Sequence, residues 1–239
     1  MKYFWIYFLT FLSLLSCGTS NEIVQEITKD ETIDIVNPQN PIKILSLGDS
    51  YTIGQNVCDN CKFPSQLKDS IIKKTGNQEI YLKVIAKTGW TTTNLIKAID
   101  DENLNSDYNI VTLLIGVNNQ YQHKDFSIYE REFPELVNTA ISKVNNRSDR
   151  LIVLSIPDYA FTPFGNGNTE ISEDINRYNT FAENFCAQNN ITYLNITDIT
   201  RQGLANTNLV ANDGLHPSEK AYTKFVERLL PLALEKLNL

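Results

Sequence analysis

Two patterns of apolar and polar positions alternate along the chain from residue 42 onward. Residues 42–47, 80–86, 110–115, 151–156 and 191–196 are short runs, apolar at most positions and rich in β-branched side chains. Runs of that kind read as strands buried on both faces. Between them the apolar positions recur at helical spacing. One stripe holds Tyr129, Phe133, Leu136, Val137, Ala140, Ile141 and Val144, and Ser127 with Glu130 three residues on has the form of a capping box. A second stripe holds Ile175, Tyr178, Ala182, Phe185 and Cys186. A last helix is expected to start at Pro217, run through Phe225 and Leu229, and kink or break at Pro231. Strands alternating with helices predict an α/β fold, a five-stranded parallel sheet with helices on both faces, in one domain over 42–239. No repeat or second domain boundary interrupts it.

The first 41 residues follow neither pattern. Lys2 precedes an apolar run over residues 3–15, which is too short to span a bilayer and suits a signal peptide over 1–16. Leu14-Leu15-Ser16-Cys17 resembles a bacterial lipobox, which implies acylation of Cys17 and an exported lipoprotein of the cell envelope. Residues 18–41 are polar and acidic and close on Asn37-Pro38-Gln39-Asn40-Pro41, the composition of a flexible tether. Fully extended, such a tether reaches at most roughly 80 Å.

Charge and composition narrow the function. With 21 Lys+Arg against 28 Asp+Glu the net charge is −7, so the chain lacks the basic surface that grips nucleic acid. Two histidines, His123 and His216, make a histidine-rich metal site unattainable, and neither a metal nor another cofactor is expected.

In an open parallel sheet ligands bind beyond the carboxyl ends of the strands. Gly48-Asp49-Ser50-Tyr51 follows the first run and Thr88-Gly89-Trp90-Thr91 the second. Gly116-Val117-Asn118-Asn119 follows the third, Pro157-Asp158-Tyr159 the fourth, and Asp213-Gly214-Leu215-His216-Pro217 lies past the fifth. One rim thus collects the parts of acyl transfer. A serine needs a base to take its proton, and imidazole titrates in the right range. A carboxylate three residues away in sequence fixes the tautomer of that imidazole and stabilises the imidazolium. The charge that develops on a carbonyl oxygen needs placed donors, which the Ser50 and Gly89 amides and the Asn118 side chain supply.

These four segments resemble, in order and spacing, the blocks of the GDSL/SGNH hydrolase superfamily. Gly48-Asp49-Ser50 matches the nucleophile block, Gly89 the glycine block, Gly116-Val117-Asn118 the asparagine block and Asp213-Gly214-Leu215-His216 the block of acid and base. The resemblance covers 42–237. It implies a flavodoxin-like three-layer α/β/α fold, a metal-independent serine esterase, catalytic Ser50, Asp213 and His216, and an oxyanion hole from Ser50, Gly89 and Asn118. Tyr51 stands where the eponymous motif has Leu, and Asn119 where Asp usually follows the block asparagine, which bears on the support of Asn118 rather than on its donor. A G-x-S-x-G elbow is absent.

Other features carry weaker expectations. Tyr51, Trp90, Tyr121 and Tyr159 are candidates to touch substrate, and the Pro-, Gly- and Asn-rich stretch from Asp158 to Glu170 is placed to overhang a pocket. Cys58-Asp59-Asn60-Cys61 lacks the further ligands zinc needs and reads as a local disulfide in an exported protein. Cys186 belongs to a buried helical stripe, and His123 sits in a polar loop. The substrate expected is a small acyl ester such as an O-acetyl group on a carbohydrate, since no long apolar segment suggests an interfacial lid. Longer acyl chains, in a lipase or lysophospholipase, and a non-catalytic envelope binding protein are the alternatives.

Overall fold

The computed structural model describes residues 41–239, so the expected signal peptide, Cys17 and nearly all of the expected tether lie outside the described residues. In chain order the elements are β1 (Ile42–Gly48), α1 (Ser50–Ile53), α2 (Phe63–Thr75), β2 (Ile80–Ala86), α3 (Thr92–Asp101), β3 (Ile110–Leu114), α4 (Val117–Tyr121) and α5 (Phe126–Ser142). They continue with β4 (Leu151–Leu154), α6 (Thr169–Gln188), β5 (Thr192–Leu194), α7 (Thr197–Thr200) and α8 (Glu219–Leu237). The five strands form one parallel sheet in the order β2-β1-β3-β4-β5. Helices cover both faces: α2 packs on α8, while α3, α5 and α6 pack in succession. This is the three-layer α/β/α arrangement the alternating pattern predicts.

The central strands carry the core. Every residue of β3 and β4 is buried, as are Ile42, Ile44, Leu45 and Leu47 of β1. Full burial of one such aliphatic side chain contributes about 1.5–3 kcal/mol, so the sheet centre dominates stability. β2 spans its apolar run and β1 exceeds its own by Gly48, while β3, β4 and β5 stop short of theirs. Ile115, Ile156, Ile191 and Ile196 are buried but outside the ladder, where they cap the core at the strand ends.

The helix termini differ from expectation in three places. α5 is capped by Asp125, whose carboxylate accepts from the Ser127 N–H at 2.8 Å, not by a Ser127–Glu130 box. α8 begins at Glu219 behind the N-cap Ser218, and Pro217 instead bridges to Val210. α8 also runs unbroken through Pro231, as α5 does through Pro134. Each proline removes one i→i−4 bond. The carbonyls so released belong to Glu130 and Glu227, both exposed residues on the solvent side of their helices.

The strand order reverses between β1 and β3, and their carboxyl ends frame the crevice where such sheets bind ligands. Gly48 ends β1 in very close packing. A Cβ there would lie 2.1 Å from the Thr52 Oγ1 and 2.4 Å from the Leu114 carbonyl oxygen. Only glycine lets α1 fold back onto the end of its own strand, and this fixes where Ser50 stands.

Candidate active site

Ser50 is the first residue of α1, with Asp49 as its cap: the carboxylate Oδ1 of Asp49 accepts from the Tyr51 N–H at 2.9 Å. Asp49 is fully buried, and its Oδ2 has no hydrogen-bond partner among the described residues. Burial pushes its carboxyl up to about 7, against the pull of the Tyr51 N–H and the Asn118 amide.

Asp213 grips its own turn. Its Oδ1 accepts from the backbone N–H of Leu215 and of His216, each at 3.0 Å, and its Oδ2 meets the His216 Nδ1 at 2.5 Å. Burial pushes the Asp213 carboxyl up, but the hydrogen bonds from the His216 ring and from both N–H groups outweigh it and hold the group at about 2. Asp213 is therefore ionised wherever an imidazole titrates. With Nδ1 on the carboxylate, Nε2 is the ring nitrogen left for chemistry. The Tyr51 ring packs against the imidazole, centroids 5.1 Å apart, and fixes its plane.

A cleft of about 150 Å³ joins these groups to the other strand ends. Ser50, Gly89, Asn118 and His216 line it, with Tyr51, Tyr121 and Tyr159 among the walls. Ser50 and His216 are only 3% and 8% exposed, so they stand at the floor of a walled cleft rather than on an open rim. Gly89 has φ +81°, a left-handed conformation that favours glycine, and its carbonyl accepts from the Gln122 side chain at 2.8 Å. Asn118 donates one amide hydrogen to the Trp90 carbonyl at 3.1 Å, which orients the group beside Asp49.

A family model described as the GDSL-like lipase/acylhydrolase family matches residues 46–224. The chain belongs to that family. It is a carboxylic ester hydrolase of the GDSL type. Solved structures of the same fold include a psychrotrophic esterase from Pseudoalteromonas, 18% identical with TM-score 0.61, covering 82% of this chain and 99% of that one. A lipase/acylhydrolase from Enterococcus faecalis is 22% identical with TM-score 0.58, over 80% and 94% of the two chains. An acetyl xylan esterase from Geobacillus stearothermophilus is 15% identical with TM-score 0.60, over 82% and 97%. Identities this low establish the shared fold. No curated protein matches the chain in sequence.

Within this GDSL hydrolase the structure separates the aromatic candidates. Trp90 does not line the cleft; its ring packs against the core and only its carbonyl serves the site. His123 lies beside a neighbouring pocket, away from Ser50. The stretch after Asp158 is a 3₁₀ turn (Tyr159–Phe161) followed by tight turns, with α6 already begun at Thr169. Cys58 and Cys61 are joined by a disulfide, and Cys186 is buried, which pushes its thiol up to about 12. Asn119 is wholly buried. Its Oδ1 accepts from the Thr92 N–H at 3.0 Å and its Nδ2 donates to the Thr92 Oγ1 at 2.7 Å. That hydroxyl donates onward to Glu132 at 2.6 Å, so an amide serves where the motif usually has a carboxylate.

Asn56 was not legible as a site residue. Its side-chain amide donates to the Asp213 Oδ2, the oxygen that also faces the imidazole. It stands at φ 63° in the connection between α1 and α2, two residues before the Cys58–Cys61 disulfide. Asn56→Ala is expected to lower kcat about tenfold with KM within twofold, the worth of one hydrogen bond to a charged group. Asn56→Asp should be worse, because it sets a like charge beside Asp213. Steady-state kinetics of the two variants check this, and an Asn56→Asp enzyme at least as fast as Asn56→Ala would contradict it.

Proposed function

We propose that this hydrolase cleaves small acyl esters, O-acetyl groups on a carbohydrate first among them, through a Ser50–His216–Asp213 triad. The supporting observation is that one small cleft is lined by Ser50, His216, Gly89 and Asn118 while Asp213 occupies the far nitrogen of the imidazole. In the first half-reaction His216 Nε2 takes the Ser50 proton as Oγ bonds to the acyl carbon. The oxyanion is met by the Ser50 and Gly89 N–H groups and the Asn118 amide. The bond to the alcohol oxygen then breaks, and His216 returns its proton to that oxygen. Water repeats the sequence on the acyl-enzyme, so that ester and water become acid and alcohol. The limited room at Ser50, walled by Tyr51, Tyr121 and Tyr159, favours an acyl group of few carbons over a fatty chain. A protein of the same fold described as an acetyl xylan esterase supports this reading. The proposal includes export and a lipid anchor on Cys17.

One preparation tests these points together. Cys17→Ser protein should leave the membrane fraction and retain esterase activity, since the anchor supplies membrane affinity and not chemistry. Across p-nitrophenyl esters from acetate to palmitate, kcat/KM should fall at least tenfold between butyrate and palmitate. Cys17→Ser protein that stays in membranes after a carbonate wash removes the anchor from the proposal. A maximum at palmitate replaces the small-acyl reading with a lipase.

A further inference from the structure

A second pocket, about 370 Å³, lies on the far side of Tyr121 and Tyr159 and shares both with the Ser50 cleft. Its lining differs in kind. Tyr121 and Phe164 are 48% and 53% exposed, among the most exposed large apolar side chains of the described residues. With Tyr159 they form a three-ring corner, centroids 5.9, 6.1 and 6.3 Å apart. Asp174 and Glu170, in the first two turns of α6, and Gln120 line the same pocket. Gln120 is 5% exposed and held at both ends: its Oε1 accepts from the Tyr159 hydroxyl at 2.8 Å, and its Nε2 donates to an Asp174 oxygen at 3.1 Å. The Asp174 carboxylate is thus oriented, with acceptor capacity beyond that one bond.

We propose that this pocket is the seat of the alcohol half of the ester, and that the alcohol is a sugar ring. The assignment rests on the small-acyl esterase reading above. An ester has two halves, and the cleft at Ser50 is narrow, so the polar half extends past Tyr121 and Tyr159. A pyranose offers an apolar C–H face and a girdle of hydroxyls. The exposed rings of Tyr121 and Phe164 meet the first, and Asp174, Glu170 and the Gln120 amide meet the second. A fatty alcohol would cover the Asp174 and Glu170 carboxylates and bring them no hydrogen to accept. A quaternary ammonium would be drawn to the rings and carboxylates. It has no hydrogen to donate, however, and makes no use of an amide held in place at both ends.

The test compares three acetate esters on the full chain: a mono-O-acetylated methyl xyloside, acetylcholine, and vinyl acetate, whose alcohol part is too small to reach the pocket. Wild type should prefer the xyloside ester to acetylcholine in kcat/KM. Phe164→Ala and Asp174→Asn are surface substitutions, and thermal melts confirm that they fold. Each should lower the ratio of kcat/KM on the xyloside ester to that on vinyl acetate by about tenfold, chiefly through KM. Free methyl xyloside should inhibit wild type competitively and both variants more weakly. An unchanged ratio in both variants overturns the proposal. So does a wild-type preference for acetylcholine that Asp174→Asn abolishes, which would make the pocket a cation site. Wild type inert on vinyl acetate and on p-nitrophenyl acetate overturns the esterase reading itself, and this proposal with it.

Discussion

Alanine at Ser50, at His216, or at both should reduce kcat on p-nitrophenyl acetate by about the same factor, roughly 10⁵–10⁶-fold. The equality is the informative part. Members of a nucleophile–base pair act as one unit, so removing the second costs little once the first is gone. Residual turnover should persist, because the donors at Gly89 and Asn118 still meet the oxyanion. The fold should tolerate either change. Ser50 sits in a glycine-fitted turn whose cap bond runs through Asp49 and the Tyr51 backbone, and none of these atoms is lost in Ser50→Ala. His216→Ala removes a ring packed on Tyr51 and should cost stability of order 1–3 kcal/mol, visible in a denaturant melt but short of unfolding. A double variant far slower than either single one would show Ser50 and His216 acting independently and would reject the triad.

Asn118→Ala should lower kcat by about 100- to 1,000-fold, the typical loss for one oxyanion-hole donor, with KM nearly unchanged. The amide is already oriented by its bond to the Trp90 carbonyl, so no freedom remains to be lost at the moment charge develops on the substrate oxygen. A donor that strengthens only with that charge appears in the turnover and not in ground-state affinity. Asn118→Asp is the sharper comparison. It keeps shape and removes the donor, and it places a carboxylate beside the buried Asp49, where like charges repel. Its kcat should fall further than that of Asn118→Ala. A rise in KM alone, with kcat preserved, would make Asn118 a substrate-holding residue and leave the oxyanion to the two backbone amides.

Residues that lie at strand ends were legible in the sequence because apolar runs mark where strands stop. Ser50, Gly89 and Asn118 could each be placed by counting from such a run, His216 by its spacing from Asp213, and the structure brings all four to one cleft. Support from distant loops has no such marker. Asn56 reaches Asp213 across 157 positions, and Gln122 reaches the Gly89 carbonyl across 33. Neither sits in a periodic pattern, so only the folded chain reveals them. Trp90 illustrates a related point: its place beside Gly89 fixes the backbone, but nothing in the sequence says whether the ring turns to cleft or core. Capping failed by ambiguity. Asp125 and Ser127 both suit an N-cap, and the choice depends on where the incoming chain turns. Pro231 was expected to kink or break α8 because the disruptive side of proline is local, whereas the packed stripe of Phe225, Leu229, Ala233 and Leu237 acts along the whole helix.

The parallel sheet gives the domain a back and a front. The chain enters β1 at Ile42, on the amino edge, and Ser50 lies past the carboxyl edge of that same strand. Seven residues at about 3.3 Å each put roughly 20 Å of body between the two. The chain therefore enters the domain at the edge of the sheet opposite the cleft. A substrate reaches the mouth without passing the point of entry, and the direction of one buried strand keeps that approach clear.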